Sequence, residues 1–386
     1  MTETPAHNHG KGRVLIVMET SDGNRYMEAA MLLVVKHGFC PQVVTLRSRG
    51  MMHEIMDKIG VPAIALDCHT SRDYPRAVFR LAKLIRRLQC DLVHASEAIP
   101  AALCGLAVRF GPAVPCIFHR HHCESTGERA FFTAIASRYT QLTMAVSRAT
   151  ANTAIAENGL DDKAVKVAYN GISPLRSVDR EELKALRRSL SIPDDSPVIT
   201  LVARLRPVKG HSTLFQALPL LRERLGKTPH VLIVGSGPDE AKLRSEATAI
   251  RDAVIHWVGH TDDVALWYHA AEVAAMPSYS ESFGLVAVEA MACRVPLVAS
   301  AVEGLAEVVE DSSSGLLVPP RDPRALAEAL ARAVSDQALR ERLIAGGWQR
   351  YSRFFTLDAM VSAWVDCYRL VLPHGEMRFN TNPPQR

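Results

Sequence analysis

Arg204 and Lys209 stand five residues apart, and Glu281 and Glu289 eight apart, on segments that each follow a short apolar run. An Arg offers a planar fork of donors and a Lys a mobile point charge, the combination that suits a diphosphate. Two carboxylates beside such a group are tolerable when they accept hydrogen bonds from hydroxyls, which points to a ligand carrying ribose and sugar OH groups. Each feature also has a plainer reading. The cations could solvate a strand end, Glu281 could be a helix-start carboxylate and Glu289 an exposed helix residue. The apolar neighbours of Glu289 (Leu285, Val286, Ala287, Val288, Ala290, Met291) argue against full solvation. Between the two pairs lies Gly235-Ser236-Gly237-Pro238, where missing side chains would let a ligand approach the backbone. It is neither a Walker loop nor GxGxxG, and alone it marks a tight turn.

These residues need elements to hold them at one edge. At about 150 residues per domain, 386 residues imply two substantial cores. Short apolar runs alternate with helical patterns throughout, the rhythm of βαβ units and parallel sheets. The first series reads as strands at Arg13–Met18, Gln42–Leu46, Ala63–Leu66, Asp91–Ala95, Val114–Phe118 and Leu142–Val146. The second reads as Val198–Ala203, Val231–Gly235, Ile255–Val258, Val273–Met276, Leu297–Ala299 and Leu316–Val318. Between them Pro174, Pro193 and Pro197 bracket a charged helical piece, Arg180 to Leu190, that reads as an exposed connector. Open parallel sheets bind ligands outside the carboxyl ends of their strands. Arg204 and Lys209, the glycine loop, the segment from Pro277, and Ser300–Leu305, which reads as a plain small-residue loop, all fall there. A helix starting near Phe283 or Gly284 would aim its first N–H groups at phosphate or sugar oxygens. Apolar spacing over Met360, Val361, Trp364, Val365 and Tyr368 predicts a last helix, followed by a tail expected to be disordered.

Composition is that of a packed soluble enzyme: 48% hydrophobic, 22% charged, with Gly 22 and Pro 22. The longest nearly apolar stretch, Ala98 to Phe110, is broken by Pro100 and Arg109 and falls short of the ~20 residues that span a bilayer. Met1 to Arg13 lacks the apolar core of a signal peptide, so a cytoplasmic location is expected. The eight cysteines form no CxxC pair and read as reduced, mostly buried thiols. Net charge is +4, which by itself does not imply nucleic-acid binding, and none is expected as a partner. The excess is local: residues 1–173 hold 20 Lys and Arg against 15 Asp and Glu.

Two further stretches have competing readings. His119, His121, His122 and Cys123 could be a metal cluster, but alternate residues of an extended strand share a face, leaving His119 and His121 as a pair with nothing to complete four ligands. No metal is expected. On a helix, Arg76, Arg80, Lys83 and Arg87 form one stripe opposite Val78, Leu81, Ile85 and Leu88. The stripe reads as the solvent face of a helix, with contact to an anionic membrane surface or a charged acceptor as the alternative.

Taken in order, Arg204…Lys209-Gly210, Gly235-Ser236-Gly237-Pro238 and Glu281-Ser282-Phe283-Gly284…Glu289-Ala290-Met291-Ala292 resemble the retaining glycosyltransferases of the GT4 type (group 1). The resemblance covers the second half of the chain, while the first half matches mainly in rhythm. It implies the GT-B fold, two Rossmann-like doubly wound domains facing a central cleft. The first domain, residues 12–173, would bind the acceptor and be joined by a returning helix at about 357–372. The second, 195–356, would bind the donor. By the same resemblance Arg204 and Lys209 hold the nucleotide diphosphate and Glu289 the ribose. Glu281, with the backbone of Ser282, Phe283, Gly284 and Leu285, meets the donor sugar, and Gly235 and Gly237 belong to the donor site. Gly23, in Thr20-Ser21-Asp22-Gly23, would approach the donor phosphate. Counting from Pro115 makes His121 the family's active-site histidine, with His119 and His122 as competitors. Asn170-Gly171-Ile172 resembles the family's segment at the end of its first domain. Two departures stand out: Arg294 replaces a usual glycine, and Glu303-Gly304 replaces a Gly-Gly pair.

The implied reaction moves a sugar from a nucleotide-diphosphate sugar, UDP favoured over GDP, to a hydroxyl of a glycan or lipid-linked acceptor. It is an EC 2.4 hexosyltransferase reaction of cell-surface polysaccharide, lipopolysaccharide or glycolipid synthesis. The acceptor would attack on the face from which the diphosphate leaves, with Arg204, Lys209 and the helix start near Ser282–Gly284 stabilising the departing charge, and no cofactor or metal is invoked. The alternatives are a catalytically silent nucleotide-sugar-binding subunit and a GT-B epimerase or phosphorylase. A nicotinamide oxidoreductase is disfavoured, because the loop after the first strand has a single Gly.

Overall fold

Short runs rich in aliphatic residues form the strands, and the inner strands of each sheet are buried on both faces, as parallel sheets covered by helices require. The computed structural model describes residues 12–21, 27–123 and 127–372. Its contacts separate two units, one taking the chain up to Tyr169 and again from Leu357, the other Asn170–Thr356. Gly23, most of the Met1–Arg13 segment and the tail beyond residue 372 lie outside the described residues.

The first unit contains β1 (Gly12–Met18), β2 (Phe39–Thr45), β3 (Ala63–Ala65), β4 (Leu92–Ser96), β5 (Cys116–Arg120), β6 (Leu142–Ala145) and β7 (Val165–Val167). They form one parallel sheet in the order β3-β2-β1-β4-β5-β6-β7. The sequence reading lacks β7, a Val-Lys-Val edge of three residues with too little pattern to announce itself. It also starts β2 after Pro41. The strand nevertheless begins at Phe39, because β3 pairs only from Val43 onward and Pro41 sits where β2 has one neighbour. β5 lies two residues later than the apolar run suggests, so His119 and Arg120 are strand residues with buried side chains.

The last helix, Leu357–Val371, belongs to this unit. Its buried face is Met360, Val361, Trp364, Val365 and Tyr368, and the Tyr368 ring meets Phe39 edge-on at 5.3 Å. Helix Tyr74–Arg87 buries Ala77, Leu81 and Ile85 and exposes Arg76, Arg80, Lys83 and Arg87.

The second unit contains β8 (Val198–Val202), β9 (His230–Val234), β10 (Val254–Gly259), β11 (Val273–Met276), β12 (Leu297–Ser300) and β13 (Leu316–Val318). Their parallel order is β10-β9-β8-β11-β12-β13. Helix Arg180–Ser189, capped by the Asp179 carboxylate, is not a free connector. Its Leu183 and Leu186, with Leu190, pack on Ile192, Val198 and Leu232, so only its charged face meets solvent. Ser300–Leu305 also differs from a plain loop: a helix, Glu303–Val308, starts inside it and buries Leu305 and Val308.

Seven of the eight cysteines are buried, and none of the eight is in a disulfide. Burial pushes the Cys90 and Cys116 thiols up to about 12, so these groups are inert thiols at neutral pH. Among the described residues, no helix is long and apolar enough to cross a membrane.

Candidate active site

In the second unit the strand order reverses between β8 and β11, and the loops leaving those strands flank a crevice at their carboxyl ends. Main-chain bonds join the loops. Leu205 N–H donates to Ser236 O (3.0 Å), Tyr279 N–H to Val208 O (2.7 Å) and Gly304 N–H to Glu281 O (2.9 Å). Glycines permit these approaches. A Cβ on Gly210, which has φ +71°, would stand 1.9 Å from Pro277 O, and one on Gly304 would stand 2.0 Å from Ser282 O. Cβ atoms on Gly235 and Gly237 would fall 2.1 Å from Ala203 O and 2.3 Å from Leu205 O. The room left by the missing side chains at 235 and 237 is therefore filled by the neighbouring loop rather than held open, which corrects the sequence reading of that space.

Lys209 and Glu281 meet in this crevice. Lys209 Nζ lies 2.5 Å from Glu281 Oε1, and Ser278 Oγ donates to the same oxygen at 3.0 Å. The Glu281 N–H donates to Glu303 Oε2 at 3.1 Å, so the carboxylate that replaces a usual glycine anchors the loop. Val202, Ala203, Lys209, Pro277, Ser278 and Glu281 line a small cavity here. Arg204 is exposed, and its side chain makes no hydrogen bond or ion pair among the described residues.

Ser282 and Phe283 precede helix Leu285–Ala292, and Gly284 caps it at φ +100°. Phe283 turns its ring inward against Phe355, 5.7 Å between centroids, so only its main chain is available to a ligand. Leu285 opens the helix, whose first N–H groups lack intrahelical acceptors. Glu289 is buried at 5% exposure, and Tyr268 Oη donates to its Oε2 at 3.2 Å. The full-solvation reading of Glu289 is thereby excluded. Arg294 holds a left-handed backbone, φ +57°, which accounts for the glycine usual there, and its guanidinium covers the Trp348 ring at 4.3 Å.

Ser278 and Tyr279 carry no role in the sequence reading. Tyr279 is held by Thr213 (2.9 Å between hydroxyls) and by Arg321, 4.1 Å above its ring. The Pro-Ser-Tyr-Ser run directly after a buried strand was the available signal. His211, the first residue of helix His211–Leu225, is buried with neither ring nitrogen hydrogen-bonded. Burial, reinforced by Lys209, drives its pKa down to about 4.

In the first unit the order reverses between β1 and β4. Glu97 follows β4 in a backbone conformation (φ 76°, ψ 164°) that is almost confined to glycine, and its N–H donates to His119 O at 3.0 Å. The three histidines occupy different places. His119 is a core residue at 1% exposure, and His122 is exposed with Nε2 3.4 Å from Glu97 Oε1. His121 is half-buried just past the strand, its ring 4.1 Å from that of His119. Burial pulls the His121 pKa below the usual imidazole value, with Glu97 acting the other way. Burial works to raise the Glu97 carboxyl, but the His122 hydrogen bond and the charges of His121, His122 and Arg129 hold it below its ordinary value. Arg120 clamps the exit of β5, donating to His122 O (2.9 Å), Cys123 O (2.7 Å) and Asn158 Oδ1 (2.7 Å). No three His, Cys, Asp or Glu residues are arranged to hold a metal among the described residues.

Two family profiles match consecutive parts of the chain: Glycosyltransferase Family 4 over residues 25–176, and Glycosyl transferases group 1 over 183–350. A D-inositol 3-phosphate glycosyltransferase of Xylanimonas cellulosilytica is 42% identical over 191 residues, 48% of this chain and 45% of that protein. The chain spans about half the length of the relatives of that name that it matches. Among solved structures, a glycosyltransferase from Rickettsia africae superposes with TM-score 0.81 at 19% identity, covering 95% of this chain and all of that one. Anabaena HepE in complex with UDP-glucose gives 0.77 at 20% identity, with 93% and 99% covered. The two-sheet architecture is thus that of GT-B glycosyltransferases, and with both halves matched the chain belongs to the group 1, family 4 glycosyltransferases.

Proposed function

We propose that this protein is a retaining glycosyltransferase that takes a sugar from a nucleotide-diphosphate sugar, UDP before GDP, and transfers it to a hydroxyl acceptor. The observation that carries the reading is the Lys209–Glu281 pair at the strand-order reversal of the second unit, with Glu289 buried eight residues further along. In this reading Lys209 and the exposed Arg204 neutralise the diphosphate, and Glu289 accepts from ribose hydroxyls. Glu281 and the main chain from Ser282 to Leu285 face the sugar, and His121 serves the reacting sugar as the family resemblance implies. Charge developing on the departing diphosphate is stabilised by the two cations and by the N–H groups that open helix Leu285–Ala292. The acceptor oxygen attacks from the departing side, which needs no second carboxylate of hydrolase type.

Support for a UDP donor comes from HepE, solved with UDP and with UDP-glucose. An acceptor bearing negative charge suits the basic excess of residues 1–173, and the relatives named for D-inositol 3-phosphate supply one such acceptor class. The exposed Arg76, Arg80, Lys83 and Arg87, with Phe79 at 77% exposure, extend that class to lipid-linked acceptors at an anionic membrane face. A glycan, lipopolysaccharide or glycolipid pathway is the setting this implies.

Release of UDP from UDP-hexoses, with and without phosphorylated polyol and lipid-linked acceptors, tests the reading. The expected result is acceptor-dependent UDP release and a product with the donor's anomeric configuration by NMR. Inverted product, or nucleotide binding with no turnover for any acceptor, would contradict it, the latter favouring a silent binding subunit.

A further inference from the structure

Three buried polar side chains of the first unit lie in line, and the donor-site reading uses none of them. Tyr368 Oη, on the last helix, is 2.7 Å from His94 Nδ1 on β4, and His94 Nε2 is 3.0 Å from His119 Nδ1 on β5. All three are essentially fully buried, and His119 Nε2 has no partner among the described residues. Trp364 closes the side of the row, edge-on to His94 at 5.1 Å and to His119 at 5.4 Å. The His119 ring then carries the ring of His121, 4.1 Å away and tilted by 39°.

Counting protons gives the row a direction. If Tyr368 donates to His94 Nδ1, His94 must carry its proton on Nε2 and donate to His119 Nδ1, which leaves the His119 proton on Nε2. That arrangement has one unsatisfied donor, the His119 Nε2–H. In the opposite direction His119 Nδ1–H donates to His94 Nε2 and His94 Nδ1–H donates to the tyrosine oxygen. The buried Tyr368 proton then has no acceptor and His119 Nε2 becomes a bare lone pair, two defects instead of one. An unsatisfied buried donor costs about 1–3 kcal/mol, so the first direction wins. A cationic ring is no alternative: burial takes the His94 pKa down to about 3 and that of His119 well below the usual value.

We propose that Tyr368, His94 and His119 form a one-directional hydrogen-bond chain that locks the His119 ring and tautomer and thereby seats His121, making all three positioning residues for it. The proposal rests on the reading above that His121 serves the reacting sugar. The last helix thereby acts on the site, since the strand-end histidine is set by a hydroxyl 274 residues further along the chain from His94.

The test is 15N histidine NMR on the full chain, wild type and Tyr368→Phe, joined to kinetics. The wild type is expected to show His94 and His119 neutral, each with its proton on Nε2. In Tyr368→Phe the His94 tautomer becomes mixed, the His121 ring signals move, and kcat for transfer falls at least fivefold while UDP affinity stays within twofold. His119→Asn, which keeps an acceptor toward His94, should retain more activity than His119→Leu. A wild-type proton on His119 Nδ1 would overturn the proposal. So would a Tyr368→Phe variant with unchanged His121 signals and kcat. If the wild type transfers no sugar at all, the failure falls on the proposed function, and the nitrogen spectra still decide the chain.

Discussion

Lys209 and Glu281 are 72 residues apart in sequence and 2.5 Å apart at Nζ and Oε1, with side chains only 24% and 11% exposed. The ammonium that the proposed function assigns to the diphosphate is thus already engaged by a carboxylate, and a donor bound as proposed would have to share or displace that contact. Replacing Glu281 by Gln removes the competitor and a negative charge. UDP should bind about fivefold tighter, ~1 kcal/mol, while transfer falls because the sugar loses its acceptor group. Lys209→Met should weaken UDP by roughly 10- to 100-fold, the worth of a charge-assisted hydrogen bond. Calorimetry and steady-state rates on both variants check the pair. Equal losses of UDP affinity in both would contradict it.

Close main-chain packing makes a second prediction. Gly210 and Gly226 both have positive φ, +71° and +63°, but a Cβ at 210 meets Pro277 O at 1.9 Å whereas one at 226 meets nothing within 4 Å. Gly226→Ala should cost about 1 kcal/mol from backbone strain alone. Gly210→Ala should cost at least ~2 kcal/mol more and loosen the loop carrying Lys209. Urea unfolding of the two variants gives the comparison, and equal costs would refute the packing argument.

His211 is buried with both ring nitrogens unpaired, and its pKa of about 4 lies below the usual 6.5. Below pH 6.5 the unfolded chain binds a proton there that the folded chain refuses until about pH 4. The residue therefore lowers stability progressively as pH falls through that window and contributes no such loss above it. His211→Leu should raise stability by ~1 kcal/mol at pH 7, because an unsatisfied polar group disappears, and by more at pH 5. Denaturant curves at both pH values measure the difference. A gain that shrinks on acidification would contradict the sign.

Arg120, 2% exposed, holds the chain just beyond His121 through two hydrogen bonds and ties it to Asn158 Oδ1 through a third. Burial pulls its pKa down and Glu157 works against that, so the guanidinium remains the donor. Arg120→Met should cost about 2–4 kcal/mol by stranding Asn158 Oδ1 and two carbonyls. It should also reduce kcat more than UDP affinity, since the proposed nucleotide site is in the other unit. Thermal melts with paired binding and rate measurements separate the two effects.

Most strands were readable because they are aliphatic runs, and their ends moved by up to three residues where His119, Arg120 or Pro41 interrupts that pattern. β7 and helix Glu303–Val308 escaped because three and six residues carry too little periodicity. At the site, residue types were legible and contacts were not. Arg204, Lys209, Glu281 and Glu289 announce chemistry, but nothing local says that Lys209 faces Glu281, or that the empty side of Gly235 is taken by Ala203. His94 and Tyr368 were unreadable for a related reason. His94 lies in an apolar run and Tyr368 on the apolar face of the last helix, so both read as core, and their bond exists only once that helix has returned to the first sheet.

Binding of UDP, GDP and ADP by calorimetry, to the wild type and to Lys209→Ala and Glu289→Ala, tests the central claim most directly. UDP is expected to bind, GDP and ADP to bind more weakly, and both substitutions to weaken UDP at least tenfold in folded protein. Folded wild type that binds none of the three, or UDP binding unaffected by either substitution, would contradict a donor site built on the second unit.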